Sequence, residues 1–133
     1  MHKIMALDIG TKRIGIALSD FLQVIATPHS TIPRQPENQA IEAITRLAKE
    51  NRVKKIVIGV PINMDGSLGF QAQDCIDFSQ KILGFDIIQE DERLTSAEAE
   101  DRLRARKVDF RKNKGLVDME SASIILEQYL ARK

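Results

Sequence analysis

Apolar residues in the first third of the chain form short runs separated by polar turns. Residues 3–9 are almost continuously apolar, and residues 13–19 alternate large apolar side chains with small ones, so both segments are predicted strands. The short connection at residues 10–12 predicts that they pair as a hairpin. A third strand is predicted near residues 23–32, just before the first prolines.

The middle of the chain changes from a helical to a strand pattern. Pro36 opens a predicted helix, because proline favours the first helical turn. The apolar residues of this helix recur at helical spacing: Ala40, Ile41, Ile44, Leu47 and Ala48. Residues 56–60 form a continuous apolar run, which is typical of a parallel strand covered on both faces.

Helical and strand patterns continue to alternate in the second half. A second helix is predicted with Ala72, Cys75, Ile76, Ile82 and Leu83 on one side, and a fifth strand near residues 86–90. Residues 95–98 match a capping box at the start of a third helix. A last helix carries Ala122, Ile125, Leu126, Tyr129 and Leu130 on its apolar face. The pattern predicts one α/β domain, residues 1–133, whose mixed five-stranded sheet has three antiparallel strands followed by parallel ones, flanked by helices.

Composition narrows the chemistry. No apolar run is long enough to span a membrane, and the first strand starts without a preceding signal segment, so we expect a cytoplasmic protein. The single cysteine, Cys75, cannot form an internal disulfide, and its position on an apolar helix face favours a core residue over a nucleophile. His2 and His29 are far apart, so no zinc site is expected, and any metal should be bound by oxygen.

Charge is unevenly distributed although the net charge is only +1. Residues 84–101 contain seven acids and one base, whereas residues 102–114 contain seven bases and one acid. Such a pair of clusters could be a metal site beside a surface that follows a phosphate backbone. It could equally be a solvated helix with internal ion pairs.

Carboxylates gather at three places in the chain: at Asp8 near the end of the first strand, at Asp91 and Glu92 after the fifth, and at Asp118 near the last helix. Each has a structural alternative, namely an ion pair with the next bases, a turn acid and a helix N-cap. Together they are expected at one edge of the sheet, where open α/β sheets place their sites. Carboxylates without histidine or cysteine suit Mg²⁺ or Mn²⁺, and two such ions can promote phosphodiester hydrolysis.

Four segments resemble one known family. Residues 6–20, 59–66, 91–96 and 117–126 resemble, in order, the motifs of the bacterial YqgF (RuvX-like) family, whose members are described as Holliday junction resolvases and as nucleases that mature the 5′ end of the 16S rRNA precursor. The resemblance implies a ribonuclease H-like fold and a metal-dependent nuclease. It also implies an acidic site at Asp8, at Glu92 or Asp91, and at Asp118.

We therefore predict a Mg²⁺- or Mn²⁺-dependent endonuclease that acts on structured RNA or branched DNA as a monomer or a homodimer. Asp8, Glu92 and Asp118 are the predicted catalytic metal ligands, with Asp91 as a fourth candidate. The predicted substrate contacts are Thr11, Lys12, Arg13, Arg93, Arg104, Arg106 and Lys107.

Two other functions are compatible with the same residues. Asp-x-Gly-Thr after a strand also resembles the phosphate-binding hairpin of sugar kinases and actin, but those proteins close two lobes over ATP and 133 residues provide one. A nucleic-acid-binding module of the same fold without catalytic activity is the second alternative.

Overall fold

The computed structural model describes residues 1–63, 65–92 and 95–133, with the side chains of all but residues 95 and 96. Its centre is a sheet of five strands: β1 Lys3–Ile9, β2 Arg13–Ser19, β3 Ala26–Pro33, β4 Val53–Val60 and β5 Asp86–Asp91. Their order in the sheet is β3-β2-β1-β4-β5. The first three strands pair antiparallel, and β4 and β5 extend the sheet in parallel with β1. The predicted mixed sheet is confirmed.

Helices cover both faces of this sheet. They are α1 Glu37–Glu50, α2 Phe70–Gln80, α3 Thr95–Ala105 and α4 Gly115–Arg132. On one face α4 packs against β1, β2 and β3, and α3 packs against α4. On the other face α1 and α2 bury their apolar sides against the strands. None of the described helices is long and apolar enough to cross a membrane.

Successive side chains of a strand point to opposite faces of the sheet, so the buried residues form two hydrophobic cores, one on each face. In β1, Met5, Leu7 and Ile9 face α1 and α2, whereas Ile4 and Ala6 face α4. Asp8 follows in the second series, because side chains two residues apart lie on the same face of a strand. Asp8 therefore lies on the face of the sheet that α4 covers, near the carboxyl end of β1.

Four local predictions require correction or fall outside the described residues. Strand β3 starts at residue 26, later than predicted, because Asp20 Oδ1 accepts hydrogen bonds from the N–H groups of residues 24 and 25 and holds a turn there. Helix α2 ends at Gln80, so Leu83 is exposed instead of lying on its apolar side. Helix α4 begins at Gly115, which puts Asp118 inside its first turn and not before the helix. The predicted capping box rests on side chains outside the described set.

Candidate active site

Two acids from separate strands face the same helix. Asp8 lies near the carboxyl end of β1 and Glu92 lies one residue beyond β5. The Glu92 N–H donates a 3.0 Å hydrogen bond to the carbonyl of Val60 and so continues the ladder between β4 and β5. Because the two strands run in the same direction, their ends meet at one edge, and the Glu92 carboxyl group reaches that of Asp8.

Two glycines make the space that these acids need. A Cβ on Gly59 would lie 2.7 Å from Glu92 Oε2 and 2.5 Å from Ile125 Cδ1. Gly15 pairs with Asp8 across the hairpin, and a Cβ there would lie 2.0 Å from the backbone oxygen of Asp118. Without side chains at these two positions, the Glu92 carboxylate fits against β4 and the first turn of α4 lies directly on β2.

Burial and the neighbouring carboxylates both make it unfavourable to ionise Asp8. Burial, followed by the negative charge of Glu92 and a hydrogen bond to it, raises the pKa of Asp8 well above its usual 3.8, and Asp118 contributes further. Closely spaced carboxyl groups commonly share a proton in this way. The ionised form of Asp8 would therefore be stabilised by a cation bound beside it.

Asp118 is compensated by a neighbouring guanidinium. Arg13 Nε donates a 2.6 Å hydrogen bond to Asp118 Oδ2, and the two side chains are 38% and 22% exposed. Among the described residues, no three acidic, histidine or cysteine side chains form a ready-made metal cage. The chemistry of Asp8 and Glu92 nevertheless fits a hard cation, since both offer only oxygen and the pair is repulsive without one. Asp118 would join them after releasing Arg13.

The other predicted residues of this edge have different settings. Thr11 and Lys12 are exposed in the β1–β2 turn, beside Arg13. Asp91 is exposed at the end of β5, and the alternation of strand residues points its side chain away from the face that carries Glu92. Arg93 lies outside the described residues.

The basic stretch is partly engaged in ion pairs. Arg104 approaches Glu100 and Asp101 within 3.6 and 3.3 Å, and Arg106 Nη2 lies 2.7 Å from the buried carboxylate of Glu120. Lys107 lines an open cleft on the α3–α4 connection. The internal ion-pair alternative therefore applies to much of α3, and a substrate role for these three bases stays a prediction.

A buried arginine that sequence patterns did not single out supports the turn of the hairpin. Arg34 forms two hydrogen bonds of 2.9 and 3.0 Å with the Asp74 carboxylate and a third, of 3.0 Å, with the Gly10 carbonyl. Its own N–H bonds the Lys12 carbonyl at 2.9 Å, and its guanidinium lies 4.7 Å from the centre of the Phe78 ring. In the sequence, the one feature that could have drawn attention to Arg34 is its position directly after Pro33, at the end of a strand.

Cys75 supports the same strand end from α2. Its thiol is buried and donates a 3.4 Å hydrogen bond to the Ile9 carbonyl. Burial and the nearby negative charges of Glu92, Asp74 and Asp8 raise the pKa of Cys75 to about 12. The predicted core role of this cysteine is confirmed, and its thiol stays protonated at neutral pH.

Comparison with known sequences gives consistent matches over nearly the whole chain. A family model described as RuvX, Holliday junction resolvase, matches residues 2–132. A relative from Crocosphaera subtropica is 45% identical over 132 residues, which cover 97% of this chain and 92% of the relative. Another, from Halothermothrix orenii, is 44% identical over 131 residues, or 96% and 94% of the two chains. Both carry the provisional name of pre-16S rRNA nuclease.

Solved structures of Holliday junction resolvases have the same fold. RuvC of T. thermophilus, in complex with a Holliday junction, superposes with a TM-score of 0.59 at 8% identity and covers 99% of this chain and 96% of its own. The Fowlpox virus resolvase in complex with Holliday junction DNA gives a TM-score of 0.58 at 12% identity, with coverage of 98% and 97%. The predicted ribonuclease H-like fold is confirmed.

Proposed function

Because the chain belongs to the RuvX family of Holliday junction resolvases, we propose that it is a divalent-metal-dependent endonuclease acting on structured nucleic acid. Its proposed substrates are the 5′ region of the 16S rRNA precursor, after the names of its relatives, and branched DNA, after the family description. We propose a cytoplasmic protein that works as a single domain spanning residues 1–133.

One observation carries this proposal. Asp8 is buried against Glu92 with Asp118 as the next negative neighbour, and its pKa is raised first by burial and then by these two carboxylates. A fold has little to gain from burying repelling carboxylates, because each buried charge without compensation costs several kcal/mol. Active sites are where such arrangements recur, since a bound cation converts the repulsion into affinity.

The site residues then have separate proposed roles. Asp8, Glu92 and Asp118 would hold Mg²⁺ or Mn²⁺, and Asp91, whose side chain points to the opposite face of β5, is the less suited fourth candidate ligand. When bound, one or two such ions would supply an activated water and neutralise charge on the phosphate. The chain would contribute a fixed geometry. Asp8 and Glu92 lie at the ends of β1 and β5, which both pair with β4, and Asp118 lies on a helix that packs directly on the sheet.

Phosphate binding is proposed for the bases around this centre. Arg13 would exchange Asp118 for a substrate phosphate, for which a guanidinium fork is well suited. Thr11 and Lys12 are exposed in the adjacent turn and would contact the same strand. Arg93 and the bases of the α3 region complete the proposed track: Arg104, Arg106 and Lys107.

The proposed cleavage can be tested with one acid and a matched control. Asp8→Asn is expected to abolish cleavage of both a four-way DNA junction and a 16S rRNA precursor in Mn²⁺, to the level seen with chelator. Asp86→Asn is the control, because Asp86 is an exposed acid at the opposite end of β5. It should cleave at the wild-type rate.

The outcomes also separate the alternatives. Equal cleavage by Asp8→Asn and the wild-type protein would refute the assignment of the site. Binding of either substrate without metal-dependent cleavage would favour the non-catalytic module, and metal-dependent ATP hydrolysis would favour the sugar-kinase alternative. Paired cuts in the junction would indicate a homodimer, since two symmetric cuts call for two sites, whereas trimming of RNA would be compatible with a monomer.

A further inference from the structure

A cleft begins at the acidic site and runs along the connection between α3 and α4. It has a volume of about 380 Å³ and is lined by Arg13 and Asp118 at one end and by Glu100, Phe110, Arg111 and Lys114 beyond them. Sites for small organic ligands have volumes of about 300–1,000 Å³, so this cleft has room for one nucleotide. Any substrate held at Asp118 would have its neighbouring residue at the mouth of this cleft.

Phe110 forms a wall of the cleft and also of the adjoining one. The second cleft, of about 440 Å³, is lined by Arg104, Lys107 and the residues around Phe110. The Arg104 guanidinium lies 5.3 Å from the ring centre and lines this second cleft, whereas it does not line the cleft at Asp118. Phe110 therefore borders both the space next to Asp118 and a cleft that contains a cation close to its ring.

Positive charge accompanies this aromatic wall. Arg111 pairs with Asp109 at 3.2 Å, but both side chains are largely exposed, at 85% and 58%, so this ion pair is weak and open to exchange. Lys114 is exposed and directly precedes α4. An apolar ring between cations is the combination by which proteins hold single-stranded nucleic acid, with bases stacked on the ring and phosphates on the cations.

We infer that this cleft binds an unpaired nucleotide adjacent to the scissile phosphate, with its base against Phe110 and its phosphate at Arg111 and Lys114. The inference rests on the proposed nuclease function and adds a substrate class to it. A base inside a duplex has both faces covered by its neighbours and cannot stack on a protein ring. The enzyme therefore selects substrates whose strand is unpaired on one side of the cut.

Phe110→Trp provides a direct test because the chain contains no tryptophan. With EDTA present, so that no cleavage occurs, the variant is titrated with a duplex carrying a single-stranded overhang and with a blunt duplex of the same length. The overhang should quench the indole fluorescence and the blunt duplex should not. Equal quenching by the two would overturn the inference.

Phe110→Leu tests the energetic contribution of the ring. Stacking of one base on an aromatic side chain corresponds to roughly a 5- to 100-fold change in affinity. The ratio of the dissociation constants for blunt and overhanging duplexes should fall by that factor. An unchanged ratio, in a variant whose thermal unfolding matches the wild type, would contradict the inference.

Two exposed phenylalanines outside the cleft serve as controls. Phe21 also has a cation over its ring, Lys3 Nζ at 5.0 Å, but it follows β2 at the end of the sheet opposite to Asp8. Phe21→Leu should leave the ratio unchanged. Phe70 is 87% exposed at the start of α2, on another side of the site. If Phe70→Leu and not Phe110→Leu lowers the ratio, the cleft does not hold the base.

This test is independent of cleavage. Quenching by the overhang in EDTA, together with absent cleavage by the wild-type protein in Mn²⁺, would support the nucleotide site and refute the proposed nuclease. If the wild type and Phe110→Leu both cleave with the same substrate preference, the proposed nuclease is supported and the nucleotide site is refuted.

Discussion

Replacing Arg34 by methionine should reveal how much the hairpin depends on one buried cation. The side chain is 7% exposed, and it bonds the Gly10 carbonyl and both oxygens of Asp74 at 2.9–3.0 Å. Methionine keeps the apolar stem and its contact with the neighbours but ends where Nε of arginine lies, so it removes all three hydrogen bonds. The turn that carries Thr11 and Lys12 would lose its support from α2.

The expected loss of stability follows from the burial of the two partners. Breaking a buried ion pair by removing one member costs about 3–5 kcal/mol. Asp74 retains 31% exposure, so water replaces part of its lost bonding, and Arg34 Nε has no hydrogen-bond partner among the described residues. Both facts lower the figure to about 2–3 kcal/mol, which corresponds to a fall in Tm of roughly 6–15 °C for a domain of this size.

Urea unfolding followed by circular dichroism measures this loss, with Arg46→Met as the matched control. Arg46 belongs to an exposed pair with Glu42 at 3.7 Å, with side chains 65% and 73% exposed, so its replacement should change stability by less than about 0.5 kcal/mol. The hydrogen bonds from Arg34 lower the pKa of Asp74 below its usual 3.8. Their contribution is therefore present above pH 3.8 and is lost as the pH falls through the lowered value. Equal unfolding midpoints for the two variants at neutral pH would refute the reasoning.

Three further variants test the construction of the site. Asp8→Asn should stabilise the metal-free protein. Because the pKa of Asp8 is raised in the folded state, the stability of the wild-type protein declines as the pH rises from 3.8 through that raised pKa. Urea unfolding should therefore show the gain at pH 8 and little of it at pH 4. Gly59→Ala adds a Cβ 2.7 Å from Glu92 Oε2 and should weaken Mn²⁺ binding about 10-fold or more by calorimetry; an unchanged affinity would contradict the placement of Glu92 at the metal. Gly15→Ala adds a Cβ 2.0 Å from the backbone oxygen of Asp118, which cannot rotate away; we expect a loss above about 3 kcal/mol, and a thermal midpoint equal to the wild type would contradict the packing of α4.

The sequence predicted the centre of the sheet well because β1, β2 and β4 are largely buried on both faces. Continuous apolar runs such as residues 56–60 can hardly be anything else in a chain with helices between them. The convergence of Asp8, Glu92 and Asp118 was predictable from strand ends and from one helix period. The turn before β3 was not, because it depends on hydrogen bonds that the carboxylate of Asp20 makes to later backbone groups.

The finer features of the site depend on contacts between distant parts of the chain. Gly15 and Gly59 look like ordinary strand glycines, and only the position of α4 and Glu92 reveals why a side chain is excluded there. The same holds for Arg34, whose partner Asp74 is 40 residues away. The pairing of acids and bases within α3 was one of two alternatives in the sequence, and charge counts could not decide between them.

The contact between Arg13 and Asp118 joins residues 105 positions apart, and it has a consequence for how activity arises during synthesis. A ribosome makes β1 and its hairpin before α4. Until α4 folds onto the sheet, solvent reaches the apolar side chains that it would bury, such as Ile4, Ala6 and Val57. The acidic cluster also lacks Asp118 until then. Chains that lack α4 therefore expose apolar surface and are prone to aggregation, and on the proposed site they would also lack one metal ligand, so cleavage would begin only after α4 has folded onto the sheet.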